Sequence, residues 1–230
     1  MSTKQENSGA IDWHSQIAAK FDDGYSTSRL FRERLAIWKD LIARYSKPES
    51  RVLDAGCGAG TMSFVAAGKA KDVVAFDGSA QMIEICRRKQ AEWGTPNVVF
   101  EQATLAEVGR FGRATFDLVL CSSVLEYVDD LWGSIDQLAN MLAPGGVLLL
   151  SMPNGSNPYR WFERLIYGLT GKPRYYAHVR HVPTAGAMVR GFGEHGMEVV
   201  ESRHYANLFG RSGANGMTGL LFVMACRRRG

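Results

Sequence analysis

A chain of 230 residues, 46% hydrophobic and 22% charged, can bury a core on both faces of one sheet and leaves no room for a second full domain. The net charge of +4 is mild, and its visible basic run, Arg227 to Arg229, reads as a solvated tail, so charge alone argues neither for nor against nucleic acid. The four cysteines lack C-x-x-C or Cys/His spacing, which excludes a zinc site, and no apolar run approaches the roughly twenty residues that cross a bilayer, so a cytoplasmic chain with no membrane partner is expected.

Residues 1–10 are polar and small and are expected to be disordered. Over 11–47, Trp13, Ile17, Leu30, Leu35, Trp38, Leu41, Ile42 and Tyr45 are spaced for helices, predicting a helical cap that Pro48 ends. The first strand begins at Arg51 and leads into Val52 to Gly60, VLDAGCGAG: strand, tight turn with Gly56, Gly58 and Gly60, then helix from Thr61. Glycines belong where the chain turns sharply or where a ligand must come closer than a Cβ permits. Asp77 ends the next strand, Asp72 to Phe76, at the spacing of an acid that accepts from ribose hydroxyls. The dinucleotide fingerprint fails here, because its third glycine position falls on Thr61 or Ser63. An acid, Asp54, precedes the glycines; it would repel a pyrophosphate but suits a ligand bearing an ammonium and a sulfonium, which points to S-adenosylmethionine.

Further along, Ser79 caps a helix carrying Met82, and Asn97 to Glu101 is the third strand. The run Phe116 to Cys121, apolar except for Asp117, suits a parallel strand covered on both faces, with Ser122, Ser123 and Glu126 at its carboxyl end. Leu131 to Leu142 reads as a helix, the Ala143 to Gly146 turn follows, and Val147 to Met152 is the fifth strand. Residues 153–183 break the alternation with six aromatics, Tyr159, Trp161, Phe162, Tyr167, Tyr175 and Tyr176, predicting an inserted substrate lid with a helix near Tyr159 to Leu169. The lid ends in His178 and His181, too few ligands for a metal. Either is a candidate base for an alcohol or phenol; the alternative is a histidine that orders the lid through backbone hydrogen bonds. Thr184 to His195 is a helix stopped by Gly196; Met197 to Tyr205 is a strand, Gly210 to Gly216 a flexible connection, and Thr218 to Cys226 the last strand.

VLDAGCGAG, AFD, FDLVLCSSVLEYV and LAPGGVLLLSMPN, in this order from Arg51 to Asn154, resemble the successive motifs of class I S-adenosylmethionine-dependent methyltransferases. The resemblance implies an α/β Rossmann-like doubly wound sheet of seven strands, mostly parallel with an antiparallel C-terminal strand: a cofactor core over 51–152, the lid over 153–183, and a helix and strands over 184–230. It implies that the cap closes over the cofactor, so that Tyr25, Arg32 or Arg34 touches its carboxylate, although a solvated face explains the arginines as well. It implies that Asp54, Gly56, Gly58 and Gly60 hold the methionine portion and Asp77 the ribose. Met82 then packs on adenine, unless it is ordinary core. Backbone groups of Thr104 and Leu105 read the base where relatives carry an acid, and Ser122 lies beside the sulfonium.

The expected activity is methyl transfer to a small-molecule acceptor in biosynthesis, at oxygen first and nitrogen second. LEYVDD and Asn154 are also similar to tRNA wobble-uridine methyl- and carboxymethyltransferases, for which Arg160, Arg164, Lys172, Arg174 and Arg180 would supply a basic surface. From other classes, an NAD-dependent oxidoreductase and a non-catalytic binding protein remain as alternatives. Nothing in the chain speaks to its oligomeric state.

Overall fold

The computed structural model describes residues 8–16, 28–206 and 219–229. Tyr25, Ile17 and the Gly210 to Gly216 connection lie outside these residues. Of the ten residues expected to be disordered, 1–7 also lie outside, whereas Ser8, Gly9 and Ala10 open helix α1, Ser8–Gln16. That helix forms because it has something to bury: Ala10 is 4% exposed, and Ile11 lies so close to Gly78 that a Cβ there would meet its Cδ1 at 2.6 Å.

Helix α2 spans Arg29–Tyr45, and the sheet follows: β1 Arg51–Ala55, β2 Asp72–Asp77, β3 Val98–Gln102, β4 Phe116–Ser122, β5 Leu142–Pro153, β6 Met197–Tyr205 and β7 Leu221–Arg228. Between them lie α3 Thr61–Ala67, α4 Ala80–Trp93, α5 Leu131–Ala139, α6 Pro158–Thr170 and α7 Ala185–Glu194. The strand order is β3-β2-β1-β4-β5-β7-β6, and β7 alone runs against the other six. The order reverses between β1 and β4, which is the switch point where such sheets bind ligands at their carboxyl edge.

Successive residues of each central strand enter opposite cores. Leu118 and Leu120 pack with Val52, Met62, Ile83 and Leu149, whereas Val119 and Cys121 pack with Leu53, Ile135, Leu148 and Phe192. This double burial is why these strands read as unbroken apolar runs. Trp38, Leu41 and Ile42 of α2 belong to the first of these cores and are fully buried, so the second half of the expected cap is a layer of the sheet sandwich. Among the described residues three short 3-10 helices went unread, Leu105–Phe111, Leu125–Tyr127 and Arg174–His178; the Thr104 amide at the start of the first is capped by Glu107 Oε2 at 2.9 Å.

The helix Leu131–Ala139 stops three residues short of its expected end, where Ala143 to Gly146 join the strand instead. The lid helix α6 and α7 fall where the periodicity placed them, with Asn157 and Thr184 as side-chain N-caps. The two ends of the lid meet: the Gly155 amide donates to the Pro183 carbonyl at 2.9 Å, and a Cβ on Gly155 would strike the Val182 carbonyl oxygen at 2.4 Å. Among the described residues, no helix is long and apolar enough to cross a membrane.

Candidate active site

A cavity of about 630 Å³ opens at the carboxyl edge of β1, β2 and β4, within the range of sites that take drug-sized ligands. Its floor is the loop after β1. There Gly56 has φ +73°, and a Cβ on it would lie 2.4 Å from Val124 Cγ2, so both the backbone and the packing require glycine. The Gly56 and Cys57 amides donate to the Phe76 carbonyl at 2.8 and 2.9 Å, which ties the loop to the end of β2.

Three carboxylates face this space. Asp54, 1% exposed, accepts from Ser63 Oγ at 2.6 Å; burial pushes its pKa up to about 7 against the pull of that hydrogen bond, and nearby Asp77 pushes the same way. Asp77 is half-buried and accepts from the Gly58 amide at 2.8 Å through one oxygen and the Ser79 amide at 2.9 Å through the other. Burial raises its pKa while those amides pull it down. Each oxygen keeps a second lone pair for a ligand. Glu126, 5% exposed, sits in the short 3-10 turn Leu125–Tyr127 after β4; burial holds it up at about 7, with Arg34 and Arg160 pulling downward. Its Oε2 is buried and has no hydrogen-bond partner among the described residues. The main-chain carbonyl of Glu126 accepts from the Arg180 and His181 amides at 2.7 and 3.1 Å, which pins the end of the lid to this turn.

The remaining walls are mostly apolar or aromatic. α1 contributes Ile11, Trp13 and His14; the lid contributes Arg160, Tyr175, Tyr176 and Val179. His14 meets Tyr127 edge-on at 5.3 Å, and burial lowers its pKa to about 4, helped by the nearby His178 and Arg34 charges. Arg160 Nη1 donates to Glu163 Oε2 at 2.7 Å, and the Tyr175 hydroxyl donates to the other oxygen of Glu163.

Of the residues singled out from sequence, Arg34, Asp54, Gly56, Gly58, Asp77, Met82, Thr104, Leu105 and Ser122 all line the one cavity. Arg34 and Ser122 are moreover bonded to each other, Nη2 to Oγ at 2.6 Å, across 88 positions of chain. Thr104 has its hydroxyl committed to Glu107 Oε2 at 3.0 Å. Gly60 stands off the wall, where a Cβ would meet Cys86 Sγ at 2.9 Å: its need is packing. His178 and His181 also stand off it. His178 packs on α1, within 3.0 Å of where a Gly9 Cβ would be, and the His181 amide is the one bonded to Glu126. The histidine on the wall is His14, which sequence reading passed over. Arg160, Tyr175 and Tyr176 were legible only as members of an aromatic, basic lid.

A carboxylate-floored cavity at the switch point of such a sheet defines a nucleoside-binding enzyme of the Rossmann-like class. Residues 29–202 match the family described as Methyltransferase domain, and the chain belongs to that family. It is an S-adenosylmethionine-dependent methyltransferase, and the oxidoreductase and non-catalytic readings fall away.

It is 26% identical over 183 residues to a ubiquinone biosynthesis O-methyltransferase of Paracidovorax citrulli, covering 77% of this chain and 76% of that one. It is 33% identical over 143 residues to the tRNA 5-carboxymethoxyuridine methyltransferase of Escherichia coli, covering 60% and 55%; the chain thus spans about half the length of that relative. In fold it is similar to a possible histamine N-methyltransferase of Thermotoga maritima, with TM-score 0.70, 16% identity and coverage of 96% and 100%.

The donors present fit the cofactor. A half-buried carboxylate with free lone pairs suits a ribose diol, and two buried acids that ionise only near neutrality suit a ligand that brings its own positive charge.

Proposed function

We propose that this enzyme O-methylates a small, largely apolar hydroxyl compound, with Glu126 taking the hydroxyl proton. The observation that carries the reading is Glu126 itself, a buried carboxyl on the cavity wall with one oxygen unpartnered among the described residues and a pKa of about 7. A neutral hydroxyl is a poor nucleophile, and a base is most effective when its pKa lies near the working pH. His14, at about 4, is a far weaker base, and His178 and His181 are off the wall.

The cofactor supplies a methyl group made electrophilic by its sulfonium. Asp77 would hold the ribose hydroxyls, and Asp54 with the Gly56–Gly58 loop the methionine portion. Met82 would pack on adenine, with the backbone of Thr104 and Leu105 beside the base. The Arg34–Ser122 pair would face the carboxylate and the sulfonium side. Tyr175, Tyr176 and Trp13 would hold a flat acceptor and keep water out, which aligns oxygen with the methyl carbon. The ubiquinone-pathway relative supports an oxygen acceptor.

The test is Glu126→Gln assayed against panels of phenols, alcohols, amines and tRNA. Transfer to hydroxyl acceptors, measured at saturating cofactor, is expected to fall about 10²–10⁴-fold. Undiminished turnover of every hydroxyl acceptor would remove Glu126 from the role. A second reading, tRNA as acceptor, is supported by the Escherichia coli relative and by the exposed Arg164, Lys172 and Arg174; absence of tRNA binding at low salt would exclude it.

A further inference from the structure

The lid helix α6 is turned inside out. Its ion pair faces inward, with Arg160 and Glu163 side chains 14% and 5% exposed and the glutamate held from the far side by Tyr175. Its apolar side chains face outward: Trp161 is 85% exposed, Leu169 78%, Leu165 60% and Phe162 56%. Positions 161, 165 and 169 fall one turn apart with 162 beside them, so the four form one continuous stripe. A stripe of this kind on a soluble domain marks an interaction surface.

Charge indicates what the surface meets. Residues 153–183 contain five cations, Arg160, Arg164, Lys172, Arg174 and Arg180, and a single carboxylate, the buried Glu163. That excess equals the net charge of +4 of the entire chain, so the rest of the sequence is balanced. Arg164 on the helix, and Lys172 and Arg174 just beyond its last residue, are exposed.

We propose that the outer face of α6 docks on an anionic lipid bilayer. Trp161, Phe162, Leu165 and Leu169 enter the boundary between headgroups and acyl chains, and Arg164, Lys172 and Arg174 meet the lipid phosphates. Leucines without stacking or hydrogen-bonding capacity set this surface apart from a single-strand RNA platform, which relies on aromatic faces. With 13 residues α6 is too short to span, so it lies in the plane of the interface. Its inner face contributes Arg160 to the cavity, so membrane and acceptor site are separated by one helix, about 10 Å. The inference does not rest on the role of Glu126, but it gives to lipid the Arg164, Lys172 and Arg174 that a tRNA acceptor would use.

The experiment uses the full chain with vesicles of phosphatidylcholine alone and of phosphatidylcholine and phosphatidylglycerol in equal parts, read by cosedimentation and tryptophan fluorescence. Binding to the anionic vesicles, weakened by salt, is expected. The double substitution Trp161→Ala with Leu165→Ala should lower it by about tenfold or more, whereas Val189→Ala, exposed elsewhere on α7, should not. Arg164→Glu with Lys172→Glu should lower binding to anionic vesicles only. Unchanged cofactor binding by calorimetry shows that each variant is folded. The proposal is overturned if the chain ignores anionic vesicles at low salt, or if the apolar variant binds them as well as the parent. It is equally overturned if light scattering without lipid shows a dimer that Trp161→Ala with Leu165→Ala dissociates, or if that variant loses RNA binding while keeping vesicle binding.

Discussion

Replacing Asp54 by asparagine should make the ligand-free enzyme more stable and a poorer cofactor binder at the same time. Burial holds the Asp54 carboxyl near about 7, against about 3.9 for a free aspartate. Native protein therefore binds more protons than unfolded chain between those two values, and wild type loses stability as pH rises through that window. At about 1.36 kcal/mol per pH unit, the ionised side chain costs the fold up to about 4 kcal/mol above pH 7. The substituted amide would keep an oxygen for Ser63 Oγ, which donates at 2.6 Å to Asp54. It would also bury an N–H₂ group short of partners, at about 1–3 kcal/mol.

The net gain at pH 8 is about 1–3 kcal/mol, or a rise in Tm of roughly 2–10 °C for a chain of this size. Glu126 and His14 titrate in both proteins, so the difference between them isolates Asp54 to first order. Scanning calorimetry at about pH 8 and about pH 4 checks this: the advantage should be present in the first and gone or reversed in the second. No advantage at pH 8, or an equal one at pH 4, would refute the claim that Asp54 is a desolvated charge held for a cationic ligand. Cofactor affinity of the same variant should fall about tenfold to a hundredfold.

Asp77→Asn places an amide N–H₂ against either the Gly58 or the Ser79 amide, both now donating within 2.9 Å, and cofactor binding measured by calorimetry should weaken by about 1.5–3 kcal/mol. Wild-type cofactor affinity should rise from about pH 6 to about pH 8, by at most tenfold per unit for each proton released, because the acids that titrate near 7 must ionise to meet the ligand's charge; a flat profile would argue against this coupling. Gly56→Ala should lose about 1–2 kcal/mol to its positive φ and about 1–3 kcal/mol to the Val124 contact. Adding Val124→Ala should restore only the second part, as read from Tm.

The sheet was legible because its central strands are buried twice: Leu118 to Cys121 is apolar at every position, with no polar face to confuse with a helix. The loop after β1 and the placing of Asp77 beside it were legible because glycine spacing and an acid at a strand end are local patterns. What was not legible depends on distant chain. Trp38 belongs to the sheet core because α2 shares that core with strands far along the chain, and nothing in the periodicity of α2 distinguishes that from a cap. His14 reaches the cavity because α1 docks against Gly78 and the lid, a contact between residues far apart in sequence. Which face of α6 points inward was not legible for a related reason. Amphipathic spacing defines two faces, and only the Arg160–Glu163–Tyr175 cluster, bonded together inside, decides which one turns to solvent.

The clasp between Gly155 and Pro183 makes the lid a closed excursion: chain leaves the end of β5 and returns to within one hydrogen bond of where it left. Lengthening the chain between those endpoints costs little, about 0.6 kcal/mol per doubling of a flexible loop. A fold arranged this way can change the segment between its clasped ends while the sheet stays as it is. One scaffold can in this manner come to serve relatives whose acceptors range from a quinone precursor to a transfer RNA.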